Sequence, residues 1–180
     1  MEAKECIKTR RSIRKFTNDK VTKEEFEELI ALSSFAPSWK NSQTSRYTVV
    51  LDEEIKEKIA KECMMNHKGN ENTILGAPAI IILTTVNSRS GYERDGSFTT
   101  SKETHWQSFD AGIAAQTLCL AAHTLGLGTV IMGIYDEENV AEVLNIPEEQ
   151  SVSAIIAIGH PVEIPDAPKR KEVETLLAYK

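Results

Sequence analysis

Three guanidiniums and a hydroxyl fall within five residues near the N-terminus, in the stretch Arg10-Arg11-Ser12-Ile13-Arg14-Lys15-Phe16. A guanidinium fork meets two oxygens of a phosphate or carboxylate at once, which a Lys ammonium cannot do. Run as an extended strand, the segment would point Arg10, Ser12 and Arg14 to one face and Arg11, Ile13 and Lys15 to the other. The first face could then hold an anion while Ile13 anchors the second. Taken alone, these seven residues read more readily as a solvated basic terminus. A second polar stretch, Ala36-Pro37-Ser38-Trp39-Lys40-Asn41-Ser42-Gln43, offers side chains that could read the edge of a heterocycle, because Asn and Gln each carry a donor and an acceptor. By itself it reads more readily as turn and helix-cap chemistry.

The surrounding composition gives these stretches their weight. The chain has 180 residues, 41% hydrophobic and 27% charged, which suits one soluble domain spanning 1–180 with a sizeable core. A formal net charge of −6 argues against general nucleic-acid binding. Against that acidic background, five of the eight residues from Lys8 to Lys15 are cationic, and Lys169-Arg170-Lys171 forms a second tight cluster. Two confined basic clusters on an acidic chain suit a small anionic ligand. Apolar runs such as Ala79 to Leu83 are too short to span a bilayer, and Met1 to Glu5 lacks the apolar core of a signal peptide. Cys6, Cys63 and Cys119 are odd in number and widely spaced, as expected of reduced thiols in a cytoplasmic protein.

The elements that must position these residues follow from local signals. Thr22-Lys23-Glu24-Glu25 is a capping box, and Phe26, Leu29, Ile30 and Ser33 continue at helical spacing, so a helix is expected near 22–34. Residues 46–51 read as a strand. Asp52 can cap a helix carrying Ile55, Ile59 and Cys63, and Asp136 another carrying Val140, Val143 and Leu144. The run 79–83 is expected to be a strand covered on both faces. Residues 109–125 are apolar almost all round and rich in Ala and Gly, which implies a central helix or a subunit interface. Strands are expected at 128–134 and 152–159. Strands and helices alternate too irregularly for a doubly wound sheet, so the expected class is α+β with a mixed, largely antiparallel sheet flanked by helices. The polar stretch 87–107 is expected to be a lid or pocket wall, or else a structural or disordered loop.

Several chemistries find no support. Gly126-Leu127-Gly128-Thr129 precedes a strand, the reverse of a dinucleotide-binding turn, and Gly126 reads as a helix C-cap. His67, His105, His123 and His160 have no ligand spacing, so no metal is expected. Cys119 in the middle of an apolar helix reads as a core residue.

Taken together, the motifs resemble those of the FMN-dependent nitroreductase family. Arg10-Arg11-Ser12-Ile13-Arg14-x-Phe16 resembles its opening signature, Ala36-Pro37-Ser38-x-x-Asn41-x-Gln43 its second motif, and Asp110-x-Gly112-x-Ala114-Ala115-Gln116 its central-helix motif. Gly126-Leu127-Gly128-Thr129 leading to Met132-Gly133, then Gly159-His160-Pro161 and Arg170-Lys171, complete the order. The resemblance implies an α+β sandwich forming an intertwined homodimer with FMN across the interface. By it, Arg10, Arg11 and Ser12 hold the phosphate and ribityl chain, Arg14 approaches the pyrimidine edge of the flavin, and Arg170 with Lys171 reaches the phosphate from the C-terminal side. Pro37, Ser38 and Asn41 come from the partner subunit with Gln43 in support. Ile131, Met132 and Gly133 lie along the ring, with the Gly133 N–H near N5 or O4.

The implied activity is reduction of nitroaromatics, quinones or related small-molecule acceptors by NADH or NADPH in a ping-pong scheme. The flavin carries the chemistry, so no side chain is assigned as certainly catalytic; Arg14 and Gly133 tune the ring. A different flavin reaction such as dehalogenation or oxidation, or flavin binding with little turnover, is the alternative. The sequence departs from the family where Thr44-Ser45 follow Gln43, where Trp39 enters the loop, and where Ile134 stands at a position often small. Trp39, Lys40, Tyr92, Phe98 and Trp106 are the candidates for the acceptor pocket.

Overall fold

The computed structural model describes residues 1–180. Four antiparallel strands form one sheet in the order β1 (Ser45–Val50), β2 (Ala79–Val86), β4 (Gln150–Gly159), β3 (Gly128–Met132). β2 and β4 are therefore the inner pair. The parallel component anticipated for the sheet is reduced to a single bridge between Ser12 and Thr129 beside β3.

Both faces of the sheet are covered, and β2 shows why its apolar run is unbroken. Ile80 and Ile82 face one cluster, with Ile59 and Cys63 of α3 (Glu53–Glu62), Ile74 of α4 (Lys68–Leu75) and Val140 of α6 (Glu137–Leu144). Ala79, Ile81 and Leu83 face the other, with Phe26 and Leu29 of α2 (Lys23–Ser33) and Ala111, Ala115 and Leu118 of α5 (His105–Thr124). Alternate residues of a strand serve opposite faces, so a strand between two helical layers must be apolar at every position. The class is α+β.

The caps fall where the side chains can make them. Thr22 and Glu25 form a reciprocal capping box, and Asp52 and Asp136 accept from Ile55 N–H and Asn139 N–H at the starts of α3 and α6. At the end of α5, Gly126 takes φ +79°, with Leu127 N–H on Ala122 O at 2.8 Å and Gly126 N–H on His123 O at 3.2 Å. This left-handed turn redirects the chain from α5 straight into β3.

Two short helices flank the chain. α1 (Ala3–Thr9) ends at Arg10, and α7 (Val173–Leu176) lies in a C-terminal tail exposed from Val162 to Lys180. The Arg10–Phe16 stretch is not a continuous strand. Arg10 caps α1, and only Ser12 and Phe16 make bridges, to Thr129 and Pro161. Ile13 does anchor it: it is buried, its N–H donates to Thr129 O at 2.9 Å, and a Cβ at Gly128 would meet Ile13 side-chain carbon at 2.7 Å. Gly128 is thus the residue that lets this basic segment lie against the sheet.

Candidate active site

The N-terminal cations form the first part of the site. Arg10 and Arg11 are half-buried and line a cavity of about 230 Å3 with Cys119, His123 and the turn Gly126–Thr129. The strict alternation expected for the segment therefore fails at its start, because Arg10 still belongs to the helix end. Arg11 Nη1 donates to Lys8 O and Arg10 O, while its Nε is buried without a partner. No carboxylate pairs with Arg10, Arg11 or Arg14. His123 in the same cavity is held below its ordinary value by burial and by the charges of Arg10 and Arg11, with Glu5 opposing. Burial and the two neighbouring guanidiniums both favour the neutral ring, so this end of the cavity is electropositive.

Arg14 is exposed, its one recorded contact being a long Nη1 donation to Ser12 O at 3.5 Å. After the Ser12–Thr129 bridge the segment crosses to the end of β4, where Lys15 O accepts from Val162 N–H and Phe16 bridges Pro161. Ile131 is 45% exposed on a strand whose other residues are buried, and it lines a groove of about 450 Å3 with Gly112 and Gln107 of α5 and Ser151 and Ser153 of β4. Met132 is buried in the core, so it can reach a ligand only through its backbone. Gly133 follows the strand end, and a Cβ there would meet nothing within 4 Å. Nothing within this chain requires a glycine at that point.

The second motif forms a turn of unusual backbone. Lys40, Asn41 and Gln43 all have left-handed φ values, of 46°, 53° and 49°. Non-glycine residues pay for that conformation, roughly 1–2 kcal/mol each, and such costs concentrate at functional loops. The turn is held by Asp110 of α5, whose buried Oδ2 accepts from Trp39 N–H at 2.9 Å and from the Ser90 hydroxyl at 2.5 Å. Ser38 Oγ accepts from Gln43 N–H at 2.9 Å and closes the turn on itself. Pro37, Ser38 and Gln43 line a cavity of about 350 Å3 with Asp110 and Ala114, and Asn41 is exposed at the turn.

The stretch 87–104 is ordered around an aromatic stack. Trp106 packs on Trp39 with ring centroids 4.6 Å apart and on Phe109 at 5.5 Å; Tyr92 packs on Phe98 at 4.8 Å. Trp106 Nε1 donates to Thr100 Oγ1, and Ser88 N–H donates to Gln107 Oε1. Trp39, Lys40 and Tyr92 share one cavity wall; Trp106 and Phe98 stand behind them. Lys40 pairs with Glu93 at 3.3 Å.

Within one chain these parts stay on separate surfaces. The cavity of Arg10 and Arg11 shares no lining residue with that of Pro37, Ser38 and Gln43. Arg170 and Lys171 lie in the exposed tail and make no ion pair. Asp110, part of the central-helix motif, is the group that fixes the Trp39 turn, and a carboxylate in the first half of an apolar helix is the sequence signal for it. The thiols offer no nucleophile: all three are buried, and burial pushes Cys63 up to about 11 and raises Cys119. No cluster of three metal-ligating side chains is assembled, and no helix is long and apolar enough to cross a membrane.

Residues 7–160 match the model of the nitroreductase family. The chain belongs to that family. A Methanothermobacter thermautotrophicus protein, provisionally named NADH dehydrogenase/NAD(P)H nitroreductase, is 33% identical over 92% of this chain and 80% of its own length. The crystal structure of an FMN-dependent nitroreductase from Clostridium difficile superposes with a TM-score of 0.72 at 29% identity, covering 91% of this chain and 90% of the other. An iodotyrosine deiodinase from Thermotoga neapolitana is 25% identical over 97% of this chain and 96% of its own length. The match to the family model spans the basic segment, the strained turn and the Met132–Gly133 strand end, and it stops before Arg170 and Lys171.

Proposed function

We propose that this nitroreductase-family protein is a single-domain, homodimeric, cytoplasmic FMN oxidoreductase that draws electrons from NADH or NADPH and passes them to nitroaromatics, quinones or related acceptors. The observation that carries this reading is the pairing of two unpaired, half-buried guanidiniums with a turn held in left-handed conformation on a separate surface of the same chain. Each is half of a site for an anionic heterocycle, and a two-fold dimer would bring one half from each subunit together.

The residues present fit FMN on that basis. Arg10, Arg11 and Ser12 would hold the phosphate and ribityl chain, with the unpartnered Arg11 Nε as one donor. Arg170 and Lys171, exposed and unpaired, remain free to add charge there. Arg14 would place its charge beside the pyrimidine edge and favour an anionic ring. Pro37, Ser38 and Asn41 would close over the flavin from the partner subunit, with Gln43 supporting the turn. Ile131, Met132 and Gly133 would lie along the ring, and the open space at Gly133 leaves its backbone accessible. FMN, when bound, would supply the redox chemistry that couples a nicotinamide donor to the acceptor. Trp39, Lys40, Tyr92, Phe98 and Trp106 would bound the acceptor space.

Purified protein is expected to be yellow, and anaerobic NADH or NADPH should bleach it, with colour returning on addition of a nitroaromatic or quinone. A colourless protein that takes up no added FMN would sink this reading. The deiodinase relative favours one second reading, reductive dehalogenation. Release of iodide from an iodinated phenol by the reduced protein, without reoxidation by quinones or nitroaromatics, would select it.

A further inference from the structure

One cavity has a lining that flavin binding does not call for. It is an open groove of about 440 Å3 beside the Trp39 turn, walled by the exposed side chains of Lys40, Arg46 and Arg89 together with Trp39, Tyr92 and Thr44, with no acidic side chain among its lining residues. Three cations on one small cavity are out of keeping with a chain of net charge −6. Such a concave site focuses positive potential and draws anions to itself.

Only Lys40 of the three has an acidic partner. Lys40 shares an exposed pair with Glu93 at the mouth. Arg46 turns Nη1 onto Gln43 O and Ser45 O, each at 2.8 Å, and keeps the rest of its fork. Neither Arg46 nor Arg89 has a carboxylate partner.

A second, independent observation concerns polar groups in the same wall. The Trp39 indole N–H and the Thr44 hydroxyl are both buried without a hydrogen-bond partner, and Thr44 is only 2% exposed. Buried polar groups are almost always satisfied in native structures, so two orphans beside one cavity mark a wall whose hydrogen bonding the chain alone leaves incomplete. The wall is also stiff. Trp39 is stacked on Trp106, and its turn is tied to Asp110.

We infer that this cavity binds a planar aromatic anion, a ring bearing a carboxylate or phosphate. The ring packs against Trp39 and Tyr92, and the acid group meets Arg46 and Arg89. Trp39 and Lys40 lie between Ser38 and Asn41 in sequence, so on the flavoenzyme reading the bound molecule is one of the two redox substrates. It is either an acidic aromatic acceptor or the phosphate-bearing adenosine end of the nicotinamide donor.

Calorimetric titration of the FMN-loaded protein with matched probes separates these sources. 4-Nitrobenzoate is compared with 4-nitrobenzamide, and adenosine 2′-monophosphate with adenosine. At least one anion should bind ten-fold or more tighter than its neutral partner, and Arg46→Gln/Arg89→Gln should abolish that preference. FMN content should stay unchanged in Arg89→Gln, which lies outside the cavity of Pro37, Ser38 and Gln43, and so should reduction of 4-nitrobenzamide driven by NADH, which carries no 2′-phosphate. Preference for the nitrobenzoate assigns the cavity to the acceptor, and preference for the 2′-phosphate assigns it to the donor. If neither anion is preferred, or if the preference survives in the variant, the inference is overturned. Arg89→Gln alone, which breaks no hydrogen bond within the chain, repeats the test should the double variant fold poorly. A protein that holds no FMN would refute the flavoenzyme reading, while the same titrations would still decide the cavity.

Discussion

At the scale of single residues, the cavity at the end of α1 sets two guanidiniums against a histidine that has only Thr9 Oγ1, at 2.8 Å, to share its proton with. Burial first, then Arg10 and Arg11, hold His123 below its ordinary value near 6.5. The folded value lies below the unfolded one, so folding is favoured with His123 neutral. Its contribution to stability is present above about pH 6.5 and is lost as the pH falls through the folded value. An anion bound between the guanidiniums offsets the charges that depress His123. Followed by NMR in protein without ligand, the His123 ring should titrate below the ordinary range, and it should move up when FMN or inorganic phosphate is added. A ring titration that FMN leaves in place would show that the phosphate does not sit at Arg10 and Arg11.

At the scale of elements, α5 links the core to the site. Its inner face packs Ala111, Ala115 and Leu118 on the sheet, and from the same turn Asp110 reaches out to fix the Trp39 turn and Ser90. Asp110→Asn keeps an acceptor but removes the charge, and is expected to cost about 1–2 kcal/mol of stability. Thr22→Ala removes a helix cap far from the turn at a comparable cost of about 1 kcal/mol and serves as the control. FMN should bind at least several-fold more weakly to the Asp110 variant and as in the parent chain to the Thr22 variant. Equal weakening in both would reduce Asp110 to a general stabiliser.

The same elements show what could be read in advance. Thr22, Asp52, Asp136 and Gly126 announced their helix ends because a cap is decided within a few residues. α1 and α4 gave no such notice. α1 buries only Cys6, and α4 carries Gly69 and Asn70 and is capped by a His67 side chain, so neither has an apolar stripe to recognise. The order of 87–104 was equally hidden, because it depends on Trp39 meeting Trp106 from 67 positions away, a contact made only by the fold. The basic segment and the polar loop were legible as candidates. Their placement on separate surfaces was not, since residue types do not encode which side of a folded chain they will occupy.

At the scale of the whole molecule, the surface carries apolar side chains that the chain does not cover. Phe109 is 59% exposed, Val173 63%, Leu176 70% and Tyr179 90%, and Ile131 faces outward from β3. Gly112 is exposed on α5 where a Cβ would meet nothing, so its glycine has no use within the chain. A second copy seated on these surfaces would bury them and bring the two half-sites together. The most direct test is a hybrid dimer with differently tagged subunits, one carrying Arg10→Ala/Arg14→Ala and the other Ser38→Ala/Asn41→Ala. Each homodimer should bind essentially no FMN. In the hybrid, one site collects all four substitutions and the other none, so one FMN per dimer is predicted. If each flavin site is instead built within one subunit, every site in the hybrid is damaged, and a hybrid that binds no FMN would contradict the shared site.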